Sequence, residues 1–179
     1  MNTNRILKLV LSAICLALCL VLPFLTGQIP EIGSMLSPMH IPVLLCGFIS
    51  GPFWACMIGL IAPVLRFALF GMPPLFPTGV AMCCELAVYG ALSGILYRKL
   101  PKKTVNIYIS LIAAMLLGRI AWGVVRLLLS GITGSAFTWA AFMAGAFTSA
   151  IPGIVVHIVL IPILVLALQR ALPWLKRIS

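Results

Sequence analysis

Long apolar runs dominate the pattern of this chain. They cover about 6–25, 79–97 and 105–129, with longer ones near 38–70 and 139–170. The period-two alternation that a membrane barrel strand needs is missing, so the runs read as helices. At about 1.5 Å per residue, 38–70 would make a helix of about 50 Å, against a hydrocarbon core of about 30 Å. It must bend or split. Gly51-Pro52 is the break, because proline removes a helix donor and restricts the residue before it. The final block is as long. Its early part lies over a membrane face, or the helix kinks near Pro152-Gly153.

Basic residues then set the count of crossings. Nine of the twelve Lys and Arg flank apolar runs: Arg5 and Lys8, Arg98, Lys99, Lys102 and Lys103, then Arg170, Lys176 and Arg177. That is the pattern of a cytoplasmic face, and it puts both chain ends and the Arg98–Lys103 loop on that side. Block 38–70 must then cross an even number of times, as two short helices. The expectation is an all-α, polytopic membrane protein. It is a single domain over 1–179, a six-helix bundle with both termini cytoplasmic. Its spans are about 6–25, 38–51, 53–70, 79–97, 105–129 and 139–170. The outer connections, about 26–37, 71–78 and 130–138, carry no Lys or Arg.

Composition agrees with bilayer as the solvent. Of 179 residues 63% are hydrophobic and 8% charged, with a mean hydropathy of +1.25. A soluble domain is nearer one quarter charged. The net charge of +10 would ordinarily point to nucleic acid. Here the basic residues are topology signals, and too few polar residues remain to build such a face. The six cysteines all sit inside apolar runs without a CxxC pair, so they read as small packing residues. Metal-ligand spacing is absent.

Arg66, Arg119, Arg126 and Glu85 remain inside the spans. Such residues are costly in lipid and are functional candidates by default. All four are expected in the outer half of the bundle. Arg119 and Arg126 are seven apart and share a helix face with Trp122. The pattern predicts a pocket open to the outside. Glu85 neutralises one arginine, and the surplus positive charge suits a carboxylate. Arg119 and Arg126 would hold the acid and Trp122 would stack on the ligand. The competing reading is a set of purely structural ion pairs, which three arginines and one acid fit poorly. His40, in Ser37-Pro38-Met39-His40-Ile41-Pro42, and His157 in the last helix are further candidates. A lone histidine in an apolar run is usually a packing residue. Met72, in Met72-Pro73-Pro74, belongs to a stiff outer connection that is either a lid or a rigid turn.

No Walker A sequence, GxSxG, HExxH or paired-carboxylate site occurs, so the chain is not expected to be an enzyme. Two acids supply few parts for a proton relay, and an inverted repeat is not evident. A pocket without an engine points to a binding subunit driven by other proteins. A self-sufficient secondary transporter of a small organic anion is the alternative. A membrane-embedded enzyme lacks a nucleophile–base pair.

Several stretches carry a family resemblance over nearly the whole length. They are Ala13-x-x-x-Ala17 in the first span, Met39-His40-Ile41-Pro42-Val43-Leu44-Leu45, Gly51-Pro52, Tyr97-Arg98-Lys99 and Ile151-Pro152-Gly153-Ile154. The chain resembles the substrate-specific S components of energy-coupling factor (ECF) transporters. The resemblance implies six helices and a vitamin or precursor bound near the outer face by the outer loops and helices four to six. Glu85, Arg119 and Trp122 would then lie in or near the site. It implies partners as well: a membrane coupling protein that meets Ala13 and Ala17, and two cytoplasmic ATPases. It implies a bacterial plasma membrane, no cofactor, no nucleic acid, and transport by toppling of the whole subunit. No loop carries a thiamine, biotin, riboflavin or folate signature.

Overall fold

The computed structural model describes residues 3–26, 29–134, 138–148 and 150–175. Among them the regular structure is helical throughout. The expectation of an all-α membrane bundle is met: five helical segments are long and apolar enough to cross a bilayer, and His40–Ile49 is a shorter apolar helix. Lys176 and Arg177 lie outside the described residues.

Helix α1 runs Thr3–Val21 and tightens into a 3-10 turn at Leu22–Thr26. Ser12, Cys15 and Cys19 face inward at three- and four-residue spacing, while Val10, Ile14 and Val21 are exposed. In water this distribution would be unstable. In hydrocarbon it is the expected one, with the polar atoms turned to the protein. Ser12 Oγ is 3.6 Å from Cys46 Sγ, and Cys19 Sγ donates to the Met39 carbonyl at 3.6 Å. The free cysteines of this region are packing residues with weak hydrogen bonds.

The connection after α1 contains a short helix that the apolar pattern does not announce: α2, Pro30–Leu36. Proline opens it, where a missing N–H costs nothing. Ser37 closes it in the left-handed region (φ 46), donating its N–H to the Gly33 carbonyl at 2.8 Å. Helix α3, His40–Ile49, is buried along almost its whole circumference. Ten residues rise about 15 Å, half of a hydrocarbon core. Its apolar surroundings are therefore other helices rather than lipid.

The chain reverses at Ser50-Gly51. Gly51 has φ 98, which disfavours any side chain, and Pro52 opens α4, Pro52–Phe70. Gly71 (φ 69) ends α4. A turn at Leu75–Gly79 feeds α5, Val80–Lys99. Helix α6 spans Thr104–Thr133, four residues beyond the expected end of that block. Its inward stripe is Ile107, Leu111, Ala114 and Gly118. The final block is broken: α7, Trp139–Met143, and a π-helical turn at Ala144–Thr148 precede α8, Ile151–Ala171.

Glycines weld α3, α4 and α5 together. A Cβ on Gly59 would lie 2.5 Å from the Leu86 carbonyl carbon and oxygen. On Gly90 it would lie 2.6 Å from those of Ala55, and on Gly94 2.6 Å from Pro52 N. Gly47 packs on Ser93 and the Gly90 carbonyl. Only hydrogen fits at these four positions, so the backbones meet directly, which is how helices associate without a hydrophobic drive. Gly90 and Gly94, four apart on α5, are half of this seam.

The end of the bundle at the α3–α4 reversal is basic. Arg98 Nη2 donates to the Ser50 carbonyl at 3.4 Å, and Lys102 Nζ sits 3.8 Å from the Tyr97 ring centroid. Below that ring, Gln169 Nε2 donates to Tyr97 Oη at 2.7 Å. The candidate site lies at the opposite end, where α3 begins, α4 finishes and α5 begins.

Candidate functional site

The site is a cavity of about 520 Å³. Its base is built by residues that helix geometry places without help from loops. His40 opens α3, Glu85 lies in the second turn of α5, and Arg119 lies midway along α6 on the edge of its inward stripe. All three are buried, at 3%, 1% and 8% exposure. Arg119 Nη1 is 3.0 Å from Glu85 Oε1, an ion pair that is close but poorly aligned for a hydrogen bond. His40 Nε2 is 3.6 Å from the same oxygen, beyond hydrogen-bonding distance. The His40 ring meets Tyr89 edge-on at 5.3 Å and stacks on His157 at 6.1 Å, with 22° between the latter planes.

Arg66 occupies a second side of the cavity. It is 4% exposed, and its Nη1 donates to the Leu20 carbonyl at 2.7 Å. Leu20 is in the last turn of α1, whose carbonyls lack intrahelical partners and attract a cation. Phe24 and Phe70 flank the guanidinium, each ring centroid 5.3 Å from Cζ. Phe70 is four residues after Arg66 on the same helix face.

The remaining walls are apolar and stiff. Met39 and Met82 contribute thioethers, and Met72-Pro73-Pro74 closes one side. Among the described residues Trp122 supplies the large aromatic face of the lining. Its ring passes over Gly145, where a Cβ would come within 2.8 Å of it, and lies 6.4 Å from Phe142 of α7. Arg126 Cζ sits 5.9 Å from the Trp122 ring centroid and is not among the described residues that line the cavity.

The structure thus brings Met39, His40, Arg66, Met72, Glu85, Arg119 and Trp122 to one cavity. Arg126 is at one remove, behind Trp122. His157 is also at one remove, behind His40. Pattern reasoning left out Met82, Thr78 and Gly145, and all of Pro23, Thr26, Ile29 and Gly33 on the α1–α2 side. Met82 was findable, since it precedes Glu85 by three positions on a helix. The α1–α2 residues carried no signal, because nothing in their chemistry separates them from an ordinary loop.

Among the described residues no group of His, Cys, Asp and Glu could hold a metal ion. The chemistry on offer is that of binding: a fixed positive end, a polar base, a soft apolar middle and one stacking face. A family model described as ECF transporter, substrate-specific component, matches residues 7–165. No curated protein and no solved structure matches the chain.

Proposed function

Since the chain belongs to the substrate-specific components of ECF transporters, it is a membrane transport subunit and not an enzyme, and we propose that it captures a small monoanionic vitamin or vitamin precursor for an ATP-driven importer. The observation that carries this reading is the charge lining the cavity. Among the cavity-lining side chains that the structure describes, Arg66 and Arg119 stand against Glu85, two positive charges less one negative, leaving +1. Glu85 offsets Arg119 at 3.0 Å, so the surplus resides at Arg66. Among the described side chains and backbone Arg66 meets a carbonyl and two aromatic faces, and a buried cation in that setting favours a carboxylate as its counter-ion. Arg66 holds the acid end, Trp122 covers the body of the ligand, and Arg126 steadies that ring through its contact with it.

The basic residues at the α3–α4 reversal and between α5 and α6 favour placing that end in the cytoplasm, with the cavity facing outward. ATP hydrolysis then belongs to two partner ATPases joined to this chain through a coupling protein. Ala13 and Ala17 lie exposed on α1. Their small side chains suit close approach by a helix of that protein.

The test is tryptophan fluorescence of the purified chain in detergent, titrated with acidic vitamins and their amides. Saturable quenching by an acid, lost in Arg66→Gln and absent with its amide, is the expected result. Equal binding of acid and amide would sink the anionic assignment. Gradient-driven uptake by liposomes containing this chain alone would sink the dependence on partner ATPases.

A further inference from the structure

The base of the cavity is polar, yet its polar atoms do not satisfy one another. His40 and Glu85 both line the cavity and are more than nine-tenths buried. Neither ring nitrogen of His40 has a hydrogen-bond partner among the described residues. Glu85 Oε1 has none either, although it is ion-paired with Arg119. A buried polar atom left without a hydrogen bond is costly, and native interiors hold few of them. Here several sit side by side, on residues that line the space in which the ligand is received.

Their chemistry specifies what would complete them. A carboxylate only accepts, and a neutral imidazole offers one donor and one acceptor. A second carboxylate cannot sit here, because it would face Glu85 as a like charge in a low dielectric. A purely apolar group would leave every one of these atoms unpaired. The matching group is neutral, with a donor beside an acceptor: its N–H reaches Glu85 while its carbonyl accepts from His40. An amide, a lactam or a ureide has that edge.

We infer that the ligand is two-ended, a carboxylic acid that also carries a neutral amide-type edge. The amide edge is seated on His40 and Glu85, and the acid is turned to Arg66. This rests on the reading of the cavity as an anion-binding site and adds the second pole. Met39, Met72 and Met82 line the cavity along with these two poles. Thioethers accept no strong hydrogen bond and adapt to the shape of a short apolar linker. The specificity that follows has a direction. A site built to hydrogen-bond a polar group rejects the analogue that lacks it much more strongly than it rejects a missing methylene.

The experiment uses three probes of matched length on the purified full chain, read by tryptophan fluorescence. N-butyrylglycine has both poles, heptanoate has only the acid, and N-butyrylglycinamide has only amides. N-butyrylglycine is expected to bind about tenfold or more tighter than heptanoate, the worth of a hydrogen-bonded pair gained at a site otherwise unpaired. His40→Phe should erase that preference, weakening N-butyrylglycine much more than heptanoate. His40→Gln, which keeps a donor and an acceptor, should retain most of it, and it stands in should the phenylalanine variant not fold. Heptanoate binding as well as N-butyrylglycine overturns the proposal. So does a preference that survives His40→Phe, or silence toward both acids. N-butyrylglycinamide binding as tightly as N-butyrylglycine overturns the acid pole, and with it the anionic reading, while leaving the amide seat intact.

Discussion

Arg119 Nη1 lies 3.0 Å from Glu85 Oε1, inside the bundle and on neighbouring helices. Each residue compensates a charge that neither could carry alone at that depth. Glu85→Gln leaves the guanidinium buried without its counter-charge. The expected loss is about 3–5 kcal/mol of stability, read as a fall in the thermal or denaturant midpoint in detergent. Pairing it with Arg119→Met should restore much of that loss, because both charges then go. A double variant no more stable than Glu85→Gln would show that the pair is not what holds these helices in register.

Gly90 is expected to tolerate no side chain within the seam. Its Cβ would meet the Ala55 carbonyl carbon and oxygen at 2.6 Å, and backbone cannot rotate out of the way as a side chain can. Gly90→Ala should cost about 1–3 kcal/mol, although alanine is the better helix former. Gly131 is in open space, with nothing within 4 Å of the place a Cβ would take, so Gly131→Ala is the matched control and should stabilise slightly. Equal melting temperatures for the two variants would remove the seam from the account.

Ala13 and Ala17 allow a separation of binding from transport. Both are exposed on α1, and neither lines the cavity. Ala13→Leu with Ala17→Leu should leave ligand affinity within about twofold and abolish uptake by cells expressing the full transporter, because a bulky pair blocks close helix approach. Normal uptake would move the coupling surface elsewhere.

Lys102 gives a prediction in pH. It lies between α5 and α6, with its ammonium against the Tyr97 ring. Burial of the group, and then the nearby Arg98 guanidinium, hold its pKa below the ordinary 10.5. The unfolded chain therefore binds more protons than the folded one between the lowered value and 10.5. Stability should rise with pH across that window as the folded group sheds its charge. Lys102→Met should flatten this part of the profile. A slope unchanged in the variant would assign it to another group.

The all-α membrane architecture was legible because hydrocarbon leaves the backbone few options, and long apolar runs report that directly. The intramembrane charges were legible for the same reason: each is an exception that needs a cause. What the apolar runs could not convey was pairing. Nothing in the spacing of Glu85 says that its partner is Arg119 rather than Arg126, because that depends on how α5 and α6 are turned against each other. Helix α2 was invisible as well. Seven residues opening on Pro30 and closing on a left-handed Ser37 have too little periodicity to stand out from a loop. With it went the α1–α2 wall of the cavity, where Thr26, Ile29 and Gly33 do their work by position alone.

The glycine seam has a consequence for how such a protein can change its ligand. Glu85 and Arg66 ride on helices whose backbones touch, and His40 heads a third helix locked to them. A substitution along that contact shifts all three poles together, so the frame tolerates little drift. The wall residues Gly33 and Gly145 instead face side-chain atoms, the Thr26 hydroxyl and the Trp122 ring. New ligand preferences should therefore arise by exchanging the upholstery over an inherited chassis. Related chains with other cargoes would differ first at these wall positions and last at the seam.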